Sequence, residues 1–184
     1  MYFWYTQPME PKLTEQLTLI LPVNELGFDF SKIEPMAFKN GMQKKKEFHI
    51  TIIGYKSAKI IEATLLKDES SVEKILRSFV DIINSTDWSY KPLEEFYTIS
   101  KNYSFIDHHT KQRINETRTA IIQMIILECI TDFYEKLNTL LGLNLESPIP
   151  HVTLFTKSTH LPNMFEGIGI YSKEEFEKLK PQKI

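Results

Sequence analysis

A five-residue pattern occurs twice in this chain, as Phe48-His49-Ile50-Thr51-Ile52 and again as Pro150-His151-Val152-Thr153-Leu154. Side chains alternate between the two faces of an extended strand. His49 and Thr51 therefore point one way and Ile50 and Ile52 the other, and the second copy repeats the arrangement. Gly54 closes the first run, and Pro148 and Pro150 open the second. The flanking period is two, so neither histidine sits on a helix face. Each copy needs a sheet with one side buried in a core. Laid side by side, the two strands put two imidazoles and two hydroxyls around one phosphate-sized cavity.

Composition narrows what such a cavity serves. With 184 residues, 42% of them hydrophobic and 25% charged, the chain can bury one sizeable core or two small lobes sharing it. Lys plus Arg number 22 against 24 Asp plus Glu, a formal charge of −2. Proteins that grip long nucleic acids through many phosphates are usually basic, so a small or locally held substrate is expected. The single Cys129 excludes an internal disulfide and a cysteine-based zinc site. No apolar run approaches a membrane span. Met1-Tyr2-Phe3-Trp4-Tyr5 lacks the features of a secretion signal, and a cytoplasmic, reduced protein is expected.

Strands and helices alternate along the chain. Residues 16–23 read as a strand and 25–46 as an irregular stretch ending in Lys44-Lys45-Lys46. The strand of His49 follows, then a short helix over 57–66, where β-branched residues also allow a strand. Ser70 and Glu73 have capping-box spacing ahead of a helix whose apolar face is Val72, Ile75, Leu76, Phe79 and Ile83. A strand is expected over 93–103, and one long helix over 110–141 with Ile114, Ile121, Ile125, Cys129, Phe133, Leu137 and Leu140 inward and Gly142 as its stop. After the strand of His151, residues 167–171 read as a last strand. Ser172 with Glu175 caps a closing helix that ends before Pro181.

His49-Ile50-Thr51-Ile52 and His151-Val152-Thr153-Leu154, 102 residues apart, resemble the paired H-x-T-x motifs of the two-histidine phosphoesterase superfamily. That family includes RNA cyclic phosphodiesterases, the so-called 2′-5′ RNA ligases, and enzymes that open cyclic nucleotide phosphates. The resemblance implies an α+β fold, with residues 1–184 as one bilobal domain in which two antiparallel sheets flank a central cleft and helices lie outside. It also implies that His49 and His151 are the acid and the base, in an order the sequence leaves open.

The chemistry follows from the residue types as well. Opening a 2′,3′-cyclic phosphate needs an activated water, a protonated leaving oxygen and a stabilised phosphorane. Histidine takes either protonation state near neutral pH. Thr51 and Thr153 can donate hydrogen bonds to the non-bridging oxygens, where charge grows in the transition state. Two histidines and two threonines lack the carboxylate or third imidazole of a catalytic zinc site. The adjacent His108 and His109 diverge on a helix and oppose each other on a strand, and His160 reads as a loop residue. No metal or cofactor is therefore expected.

Tyr55, Tyr97 and Phe155 are candidates for stacking a base, Tyr55 and Phe155 by sharing strand parity with the motif histidines. Tyr103 is a further aromatic on the strand of Tyr97. Lys157, with Lys56, Lys101 and Arg113, is a candidate for a second phosphate. The expected activity is a phosphodiesterase acting on 2′,3′-cyclic or 2′-5′ bonds of nucleotides or RNA ends. Degradation of a cyclic or 2′-5′ oligonucleotide signal, RNA 3′-end trimming, and a nucleotide-binding module without turnover are the alternatives.

Overall fold

A computed structural model describes residues 10–24, 28–67, 70–107, 111–160 and 167–184. The aromatic N-terminal residues, His108 and His109 lie outside them. The strands are β1 (Lys12–Leu13), β2 (Leu19–Val23), β3 (Gln43–Lys44), β4 (Phe48–Ile53), β5 (Lys91–Ile106), β6 (Arg113–Ile126), β7 (His151–Ser158) and β8 (Gln182–Lys183). They form one eight-stranded sheet in the order β1-β2-β4-β7-β6-β5-β8, with β3 also paired to β7. Every pairing is antiparallel. With helices α1 (Glu34–Lys39), α2 (Tyr55–Leu65), α3 (Val72–Ser85), α4 (Ile130–Leu141) and α5 (Lys173–Lys178), the architecture is α+β. No helix among the described residues is long and apolar enough to cross a membrane.

The alternation read from the two motifs decides which face is buried. Ile50 and Ile52 of β4, with Val152 and Leu154 of β7, enter a large apolar cluster under α1 to α4, where Ala37, Ile61, Phe79 and Phe133 meet them. The opposite face carries a smaller cluster of Ile99, Ala120, Ile122, Ile168 and Ile170, covered by Phe176 and Leu179 at the C-terminal end. The motif side chains lie on this second face.

Several elements differ from the sequence reading. Residues 110–141 do not make one helix: β6 occupies the first half and α4 the second. Ile121 and Ile125 stand at even spacing and so suit a strand face as well as a helix face, and the β-branched Ile and Thr content of β6 favours the strand once β5 and β7 flank it. Residues 167–171 pair with no strand. Their alternation reflects Ile168 and Ile170 packing onto the second cluster. The stretch read as irregular contains α1, with Pro35 in its first turn where a missing N–H costs nothing, and β3. The strand read over 16–23 begins only at Leu19. Ser71, one residue beyond the expected cap, opens α3.

Other local signals hold. Gly142 ends α4 in the left-handed conformation at φ 61°. The Ser172 side chain accepts the Glu175 N–H at 3.2 Å at the start of α5.

Candidate active site

β4 and β7 are neighbours in the sheet and meet at Ile50↔Val152. In an antiparallel pair, residues on either side of that point face each other across the strands. His49 thus lies beside Thr153 and Thr51 beside His151, with the two imidazoles on a diagonal. All four side chains line one cavity of about 230 Å³, with Lys45, Glu47, Tyr55, Tyr134 and Tyr171 among the other walls. The cavity lies over the strand pair that joins the first third of the chain to its last.

His151 is nearly buried, at 8% exposure. Its Nδ1 lies 2.7 Å from the Ile149 carbonyl oxygen. A carbonyl only accepts, so Nδ1 carries the hydrogen and the neutral ring keeps its lone pair on Nε2. Burial pulls the pKa of His151 below the usual histidine value, against the opposing effect of the Ile149 bond. His49 is also held low, chiefly by burial and further by the Lys45 ammonium and by repulsion from His151 whenever that ring is protonated, with Glu47 acting the other way.

The wall opposite the sheet comes from residues the sequence reading did not single out as functional. The ring of Tyr171 fills the space where a Cβ on Gly54 or Gly169 would sit, at 2.7 and 2.6 Å from its atoms. A Cβ on Gly167 would stand 3.2 Å from Thr153 Oγ1. Bare backbone therefore lets this segment close onto the motif residues. Glu175 anchors it: Oε2 accepts the Tyr171 N–H at 3.0 Å, and Oε1 pairs with Lys56 at 2.7 Å and Lys101 at 3.5 Å. Lys56 Nζ also lies 4.6 Å from the centre of the Tyr171 ring. Beneath the cavity, Tyr134 donates to the Ile52 carbonyl at 2.8 Å and ties α4 to β4. The readable signal was the spacing of glycines before Tyr171 and the glycine that ends the first motif strand.

The expected substrate-binding residues divide. Tyr55, 55% exposed, stands at the cavity rim. Phe155 is fully buried and packs edge-on against Phe30 and Phe38 at 6.1 and 5.9 Å. Strand parity fails there because the β6–β7 register shifts: Thr153 faces Ile122 and Phe155 faces the adjacent Ile121, leaving Leu154 as the extra residue of a bulge. Leu154 and Phe155 then both enter the large cluster. Tyr97 packs edge-on against Phe176 at 5.6 Å within the second cluster, away from the cavity. Lys157 donates to the Asn40 carbonyl at 2.9 Å, beyond the end of α1. Arg113 donates to Ser104 Oγ at 3.2 Å at the far end of the β5–β6 ribbon. Tyr103 carries the Arg118 guanidinium 4.6 Å over its ring, and His160 lies edge-on to Phe105.

Among the described residues no three His, Cys, Asp or Glu side chains come together as a metal would require. No family model, curated protein or solved structure matches the chain.

Proposed function

We propose that this protein is a metal-independent phosphodiesterase, resembling the two-histidine phosphoesterases, that hydrolyses 2′,3′-cyclic or 2′-5′ phosphodiester bonds of nucleotides or RNA ends. One observation carries the reading: two histidines and two threonines, 102 residues apart in the chain, line one cavity in diagonal pairs. A buried core histidine needs no partner imidazole and no pair of hydroxyls beside it. An in-line displacement at phosphorus uses all four.

His151 serves as the base, because its neutral tautomer presents Nε2 as an acceptor. It removes a proton from water as the water oxygen bonds to phosphorus. His49, protonated when an anionic phosphate sits against it, gives its proton to the ribose oxygen as the P–O bond breaks. Thr51 and Thr153 donate to the non-bridging oxygens as their charge grows. Tyr55 stacks on the nucleobase at the rim. A two-lobed arrangement with the cleft at the β4–β7 seam belongs to this reading, supported by a junction that rests on one register pair between those strands.

The test is product formation from 2′,3′-cyclic mononucleotides, 2′-5′ oligoadenylate and a short RNA with a cyclic end, all in EDTA. Turnover in the wild type and a loss of about 100- to 10,000-fold in both His49→Ala and His151→Ala is expected, the range general acid–base groups supply. Undiminished turnover in both folded variants would overturn the mechanism. Binding without turnover on every substrate would leave a nucleotide-binding module.

A further inference from the structure

The face that carries the motif side chains does not stop at β4. Directly opposed residues of an antiparallel pair share a face, and Thr51 opposes Ile20 while His49 opposes Pro22. Ile20 in turn opposes Lys12 on β1. One row therefore runs from the cavity across Ile20 and Pro22 to Lys12, about 10 Å over two strand spacings. The two directions along this face differ. Towards β6, Ile122 and Met124 oppose Thr153 and His151 and lie under Ile168, Ile170 and Phe176. Towards β1, Ile20 and Pro22 belong to neither apolar cluster of the described residues.

What lies there is a groove of about 440 Å³ lined by Lys12, Ile20, Pro22, Asn24, Lys46 and His49, with Glu47 the one carboxylate among its described walls. His49 and Glu47 border both this groove and the cavity. An apolar floor with ammonium groups beside it suits a planar base or sugar carrying a phosphate. It continues directly from the acid of the proposed reaction.

We propose that this groove binds the nucleotide preceding the one that carries the scissile phosphate, with its nucleoside on Ile20 and Pro22 and the phosphate that joins the two nucleotides at Lys12 and Lys46. The preferred substrate is then an oligonucleotide of at least two nucleotides rather than a cyclic mononucleotide. The assignment rests on the phosphodiesterase reading, and its test separates the two.

The readout is the ratio of kcat/KM for the dinucleotide ApA with a 2′,3′-cyclic end to that for 2′,3′-cyclic AMP. The wild type is expected to favour the dinucleotide by about threefold to tenfold, the scale of one or two exposed charge contacts. That preference should shrink as salt rises. Lys12→Glu, alone and with Lys46→Glu, should bring the ratio towards one. Lys74→Glu on the exposed face of α3 changes net charge equally and should leave the ratio as it is. A ratio of one in the wild type, or a preference that survives in Lys12→Glu/Lys46→Glu, overturns the groove assignment.

Calorimetric titration with adenosine 3′-monophosphate and ApAp, which differ by one nucleotide, reads the groove without chemistry. Tighter binding of ApAp that is lost in the double variant, together with absent turnover, would keep the groove and overturn the phosphodiesterase. Equal binding of both would overturn the groove whatever the turnover.

Discussion

His49 and His151 are kept short of protons by their surroundings, and this has a consequence for stability as well as for chemistry. Both have native pKa values below the ordinary 6.5, burial being the first cause in each. Between the native and unfolded values the unfolded chain binds more protons, so stability rises with pH. The contribution is fully present above about pH 6.5 and is lost as pH falls through the native values. Thermal unfolding is therefore expected at lower temperature at pH 5 than at pH 7.5. His151→Gln should narrow that difference, and an unchanged difference in the variant would show that His151 is not the group responsible.

Tyr171 makes a second case at this scale. Its ring occupies the space that a methyl on Gly54 would need. Gly54→Ala should destabilise the protein by about 1–3 kcal/mol through overpacking, and Tyr171→Ala should relieve that clash. In a double-mutant cycle read by chemical denaturation, the two changes should cost less together than their sum. Strict additivity would mean that the ring and Gly54 do not meet.

Among the elements, the motif strands were the most legible, because alternation of apolar and polar residues survives without knowledge of the neighbours. β6 was not, since a run such as Ala120-Ile121-Ile122-Gln123-Met124-Ile125 satisfies helical and extended periods alike. Only the flanking strands β5 and β7 decide between them. Phe155 shows a different limit. Parity along β7 is a sound guide until a bulge intervenes, and the Leu154 bulge arises from how β7 registers on β6, which local sequence does not encode. The same argument sends Phe155 to the core. Phe155→Ala should cost about 3–5 kcal/mol in stability, measured by denaturant unfolding. A loss below about 1 kcal/mol would contradict its placement between Phe30 and Phe38.

For the whole molecule, the two faces of one sheet have separate duties. Helices α1 to α4 pack on the face of Ile50 and Val152, while among the described residues α5 and residues 167–171 cover the face of the histidines over β5, β6 and the cavity. This asymmetry was hidden in the sequence. The covering segment reads as a strand by its alternation, and nothing local distinguishes pairing at an edge from packing on a face. The four motif residues were readable because their pattern repeats. The places of Tyr171, Gly54 and Glu175 in the cavity wall were only hinted at by the glycine spacing, because each matters through a contact made in three dimensions.

The single register pair that joins β4 to β7 also has a temporal meaning. Helices α3 and α4 draw on nearby residues and can begin to form early, whereas Ile50 and Val152 meet only after the intervening chain has closed a long loop. The proposed catalytic unit therefore does not exist in any partly folded state that lacks this closure. Assembly of the proposed site waits on this long-range closure, and a newly made chain completes it only when its two distant parts have found each other.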